Sequence, residues 1–283
     1  MWYIFALLSS LTFGLASFMM KVSSAKRGSI GHLLWGLYLT GTICFLILVL
    51  YTGSWTWNMQ VLLAGLIIGL GTSVGNLLFM MALDYGPASL TSPVVNGNVI
   101  LTIGLSMLFF GESLSLTEWI GVSFLVIAVM LLPIDPDENL RIRNLKWYGL
   151  VLTSMFLFFL RNGGLKVTEE MNLPNAMVLL IGYAFGLIWF SIAIFRQKNK
   201  VLPLSAKVTG IRWGLGSGVL SFVGMQIYAV ALAKGPASIV SPIFSTNSLV
   251  VALLSIWIYR ERLSFLQTIS LILLFLGLVI TRF

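Results

Sequence analysis

Apolar stretches of about one membrane thickness run the length of the chain, separated by short polar punctuation. Met1 to Met20, Tyr85 to Gly111, Met171 to Phe195, Trp213 to Ala233, Gly235 to Tyr259 and Leu263 to Thr281 contain no charged residue. A helix of about 20 apolar residues crosses about 30 Å of hydrocarbon. The pattern therefore predicts ten transmembrane helices, over 2–21, 30–51, 58–82, 87–110, 116–133, 147–165, 174–195, 207–233, 236–258 and 264–282. Trp2, Trp55, Trp57, Trp119, Trp147, Tyr148, Trp213 and Tyr259 stand at their ends, where amphipathic rings sit at the interface. The longest connection, 134–146, carries three acids and three bases and reads as a linker between two halves.

The halves are copies of one pattern. Ala82–Val94 and Ala231–Ile243 share eight of thirteen residues at an offset of 149, including Gly86-Pro87 with Pro93 and Gly235-Pro236 with Pro242. Gly65, Gly69 and Gly75 recur as Gly214, Gly218 and Gly224, and Glu112-Ser-Leu-Ser115 as Glu261-Arg-Leu-Ser264. An internal repeat defines the architecture before any single residue does. Five spans lie between the two motifs, an odd number, so the second enters the membrane from the opposite face. The expected fold is all-α, two inverted five-helix repeats (1–133 and 147–283), an arrangement found in transporters that alternate access about a central site.

This parity gives the paired prolines a reason. Pro87 and Pro236 suit a first helical position, where the missing N–H bonds nothing, and Gly86 and Gly235 suit a tight turn before it. Pro93 and Pro242 lie six residues further in and should kink their helices, freeing a carbonyl at Ser89 or Ser238. Such a group is tolerated in a membrane when it faces protein or a wet cavity. The glycines at small-xxx-small spacing predict close helix packing. Ser115 to Glu118 and Ser264 to Gln267 read as capping boxes, with Glu112 and Glu261 beside the positive ends of the helices they open.

Composition narrows the function. Only 9% of residues are charged, against about 25% in soluble domains. The net charge of +8 lies at helix ends, where anionic headgroups account for it, so nucleic acid is not the expected partner. One cysteine, Cys44, and one histidine, His32, cannot form a disulfide within the chain or a metal cluster, and no cofactor is expected. All nine acids fall in loops or at span ends, which leaves no mid-membrane carboxylate for catalysis or proton coupling.

The GPAS-xx-SP phrase, its copy, and the "GES-LS" and "RER-LS" phrases resemble the EamA-like family of the drug/metabolite transporter superfamily, over nearly the whole chain. The resemblance implies ten helices in two inverted repeats and a central cavity lined in part by the fourth and ninth. It also implies a multi-pass protein of the cytoplasmic membrane with a cytoplasmic N-terminus, whereas the distribution of Lys and Arg favours the opposite orientation. An arginine common in the second span of such proteins is missing here: the stretch reads His32-Leu-Leu-Trp35-Gly-Leu-Tyr38.

Neutral polar groups are then the candidate lining. Ser92 and Asn96 share a stripe in span four, Ser241 and Ser245 in span nine, and Asn98 matches Asn247 across the repeat. Asn76 and Gln226 add amides, and Trp35, Tyr38, Tyr183 and Tyr228 could supply aromatic walls. Each could equally bond one helix to another. Arg161 is a base deep in span six: it either snorkels to the interface beside Lys166 or faces the cavity and grips an anion. The chain thus reads as a secondary transporter of a small polar organic metabolite, with export among its directions, acting as a monomer or homodimer. The competing class is a membrane protein without solute flux, a lipid-translocating helper or an assembly partner.

Overall fold

The computed structural model describes residues 1–83, 85, 91, 94–131, 145–196, 202–259 and 265–280. Every regular element among them is a helix: α1 (Trp2–Ala25), α2 (Ile30–Thr52), α3 (Met59–Ala82), α4 (Asn98–Phe110), α5 (Leu116–Leu131), α6 (Leu145–Glu170), α7 (Asn175–Arg196), α8 (Leu204–Lys234), α9 (Ala237–Ser245), α10 (Asn247–Tyr259) and α11 (Phe265–Ile280). Helices α1, α2, α3, α6, α7 and α8 are each long and apolar enough to cross a membrane, and the others are shorter apolar helices. Side chains such as Ile47, Leu50, Ile67 and Ile188 are exposed on the outside, a surface suited to lipid. Gly86, Pro87, Ser92, Pro93, Glu261, Ser264 and nearly all of the 134–146 linker lie outside the described residues.

Local chemistry ends the helices where it should. Asn58 Oδ1 accepts the Val61 N–H at 2.7 Å to start α3. Ser115 and Glu118 form the reciprocal capping box of α5, with bonds of 2.7 and 3.2 Å. Gly53 and Gly111 close α2 and α4 at φ 65° and 64°, the left-handed conformation that glycine adopts freely.

The main helix contacts run between the two halves: α1 and α2 pack on α8, α3 packs on α6 and α7, α2 on α7, and α5 on α11. In the first two helices of each half the counterparts stand 145 residues apart: Trp2-Tyr3 and Trp147-Tyr148, Phe13 and Phe158, Lys21 and Lys166, Tyr38 and Tyr183, Gly41 and Gly186. Their contacts are reciprocal. Gly41 lies under the Tyr183 ring and Gly186 under Tyr38; Gly75 meets Phe158 and Gly224 meets Phe13. Along α2 and α7 the partners are Gly31 with Ile194, Trp35 with Ser191 and Gly41 with Tyr183. One number rises as the other falls, so these two counterpart helices run antiparallel.

The repeated glycines are what let the helices approach. A Cβ on Gly214 would sit 2.1 Å from the Leu33 carbonyl oxygen, and one on Gly65 would sit 3.0 Å from that of Val178. Leu33 and Val178 are themselves 145 apart, so the same close approach is made twice.

Three local expectations change. Pro242 rides inside α9, and the break falls at Thr246, four residues later; the matching position, Gly97, ends the turn before α4. The side chains of Ser245, Thr246, Asn247 and Ser248 bond the carbonyls of Pro242, Ile243, Phe244 and Ser245 at 2.7–3.1 Å. Short polar side chains bonding three residues back compete with the helical ladder, and four in succession set the break. Pro236 caps α9 instead of opening it. Gly235 is extended (φ −144°), not a tight turn; a side chain there would strike the Trp2 ring, 2.6 Å from its Cβ.

Candidate functional site

A cavity of about 60 Å³ lies between the halves, lined from α1, α2, α3, α6, α8 and α10 and by Val95 and Asn96 before α4. Phe13, Asn76, Phe158, Arg161, Ser217 and Ser221 surround its inner part, and Met20, Lys21, Met80 and Leu83 its outer part. The outer residues stand at the C-terminal ends of α1 and α3, so the cavity leads toward that end of the bundle. Room for one water takes about 10–15 Å³, so the space admits a few waters.

Of the predicted lining, Asn76, Asn96, Arg161 and Asn247 reach the cavity. Asn96 Nδ2 donates to the carbonyl of Ser245 at 3.3 Å, which is its own counterpart at the 149 offset. Tyr38, Tyr183 and Tyr228 are buried behind the wall, their hydroxyls bonded to Asn76, Ser221 and Ser241 at 2.9, 2.6 and 2.9 Å. Asn98 is also behind it, with Nδ2 on the Val95 carbonyl and Oδ1 accepting from Asn162. Trp35 stands apart, donating to Ser191 between α2 and α7. Ser241 bonds Tyr228 and Ser245 bonds the Pro242 carbonyl. Gln226 has a buried Oε1 with no partner among the described residues, and Ser92 lies outside them. Gly235, Pro236 and Pro242 shape the α8–α9 connection and α9.

Arg161 is buried, 3% exposed, and does not snorkel to the interface. A helical side chain leans toward its helix's N-terminus, which carries Arg161 along the axis away from Lys166. Its guanidinium lies 4.4 Å from the Phe158 ring centre, one turn earlier, and 5.0 Å from that of Phe13. Nε donates to Asn162 Oδ1 at 2.9 Å, and Asn162 in turn donates to Asn98. Phe13, Phe158, Asn162, Ser217 and Ser221 complete this site and are absent from the sequence-based candidates. The 145-residue pairing of Phe13 with Phe158 is the signal that points to the two rings.

At the opposite end of the bundle charged groups tie the halves together. Glu112 does not serve the helix that follows it. Its carboxylate accepts the backbone N–H groups of Ala237 and Ser238 at 3.0 and 2.8 Å, capping α9 from the other half. Lys166 Nζ lies 2.9 Å from the same carboxylate and also pairs with Glu170. Burial alone would raise the Glu112 carboxyl, but the Ser238 N–H, Lys166 and the Ala237 N–H outweigh it and hold it below its ordinary value of 4.5.

The profile of the EamA-like transporter family matches residues 1–133 and 145–283. The chain is 26% identical over 217 residues to an uncharacterized transporter of Methanothermobacter thermautotrophicus, covering 75% of this chain and 61% of that protein. It is 29% identical over 133 residues to an uncharacterized protein of Methanocaldococcus jannaschii, 47% of this chain and 96% of that one. A solved crystal structure of a protein superposes with a TM-score of 0.75 at 16% identity, over 97% of this chain and 95% of the other.

Proposed function

From the premise that this chain belongs to the EamA-like transporter family and is a multi-pass membrane protein, we propose that it carries a small polar organic metabolite across the cytoplasmic membrane by alternating access. In this reading the ten apolar segments form two inverted five-helix repeats, 1–133 and 147–283, that rock about the cavity between them. One observation carries it: the cavity lies beside the Asn96–Ser245 bond, where a residue meets its own counterpart, and leads toward the C-terminal ends of α1 and α3, while Glu112 and Lys166 tie the halves together at the opposite end of the bundle. The antiparallel run of α2 and α7 supports the inversion. The neutral amides and hydroxyls of the lining suit a polar solute, and a cavity lined from both halves favours a solute path over a lipid groove.

Side-specific labelling tests this. In a Cys44→Ser background, Ser221→Cys should react with an impermeant maleimide applied to proteoliposomes from either face, with opposite ligand dependence on the two sides. Reaction from one face alone, under every ligand condition, would sink alternating access.

A further inference from the structure

We infer that the solute is an organic monocarboxylate with an apolar body and that Arg161 holds its carboxylate. The inference rests on reading the cavity as the transport site. Arg161 lines that cavity while almost wholly removed from water. Its Nη1 has no hydrogen-bond partner among the described residues, and no carboxylate among them forms an ion pair with it. A buried guanidinium with unused donors is costly to keep, so a purely structural arginine should have acquired an acid or a ring of carbonyls. This one has two aromatic faces, which fix its plane without consuming its N–H groups.

The chemistry of the lining selects the ligand. The charged side chains around the cavity are Arg161 and Lys21, both cations. A zwitterionic amino acid would find no carboxylate there for its ammonium group. An organic phosphate would bring up to two negative charges to a site with one guanidinium at its inner part. A carboxylate matches that guanidinium in charge and in planar, two-pronged geometry. Phe13, Phe79, Met80 and Phe158 offer apolar surface for the rest of the molecule. The link from Arg161 Nε through Asn162 to Asn98 holds the guanidinium in place, which makes Asn98 a positioning residue.

The test uses matched probes on the purified full chain. Phenylacetate and hexanoate should raise the thermal midpoint and bind saturably, while phenylacetamide, hexanamide, phenylalanine and phenyl phosphate bind at least tenfold more weakly. Loss of a charge-assisted bond of this kind weakens binding about tenfold or more, so Arg161→Gln should lose the preference for acid over amide, and Arg161→Lys should recover part of it. The acid–amide comparison on the unaltered chain stands even if both variants fail to fold. Equal binding of acid and amide, tighter binding of the zwitterion or phosphate, or no acid binding at all overturns the inference. Neutral solutes that exchange across proteoliposomes while acids do not would overturn it and leave the transporter reading intact. Acids that bind without ever exchanging would keep the anion site and remove the transport role.

Discussion

Gly214→Ala should destabilise the folded chain and lower its thermal midpoint. The new Cβ would lie 2.1 Å from the Leu33 carbonyl oxygen and 2.9 Å from its carbon. Both are backbone, so no rotamer can relieve the clash and α2 must separate from α8. Alanine favours a helix over glycine by about 1 kcal/mol, but overpacking costs about 1–3 kcal/mol and sometimes more. Contact with backbone puts this case at the upper end, a net loss of about 2 kcal/mol. Gly149→Ala is the control: it lies in α6 with nothing within 4 Å of the added Cβ, and its midpoint should hold or rise. Equal midpoints for the two variants would contradict the packing of α2 on α8.

Glu112→Gln should open the clasped end. The side chain keeps its size but loses the charge that binds Lys166 and the α9 N-terminus. Hydrogen bonds to charged groups contribute about 1.5–3 kcal/mol; the Glu112 side chain is 13% exposed, and solvent screening puts this case at the lower end. In the Ser221→Cys background, maleimide reaction from the clasped end should rise about tenfold. A Lys166→Gln variant should move the same way, and the double variant should add little to either single one. The pH dependence has a definite sign. The folded Glu112 is held below its ordinary value of 4.5, so the clasp is complete above that pH and lost as pH falls through the lowered value. Labelling from the clasped end, taken relative to that of a fully exposed cysteine so that the thiol's own ionisation cancels, should therefore be flat from about pH 7 to 5 and climb only in stronger acid. Unchanged labelling in both single variants would show that the clasp does not hold that end shut.

The helix positions are legible because charge is so costly in hydrocarbon: the uncharged runs locate the starts of α1, α2 and α7 to within a few residues, and the polar and aromatic stretch 52–58 divides α2 from α3 inside one long uncharged run. The glycine pairs are legible because their spacing matches one helix face. The breaks are not, because proline looks like the stronger disruptor, yet Pro242 fits within α9 and the four polar side chains after it end the helix. Glu112 reads in sequence as serving its neighbour, since nothing local signals that its partners lie 125 and 126 residues away. For Arg161 the lean of helical side chains toward the N-terminus speaks against a reach to Lys166, but its inward face is seen only in the structure. Phe13, brought to the Arg161 guanidinium from the other half, is not signalled by helical period at all, only by its 145-residue pairing with Phe158.

The reciprocal glycine contacts have a consequence for biogenesis. Gly65 and Gly69 in α3 meet Val178, Ile181 and Gly182 in α7, and Gly71 and Gly75 meet α6. When a ribosome has released only residues 1–133, these grooves have no partner and face lipid or a chaperone. The halves therefore cannot mature in turn as independent domains; the first must wait in the bilayer until α6, α7 and α8 arrive. Two polypeptides, 1–133 and 145–283, made together should assemble into the same molecule, whereas either made alone should be degraded.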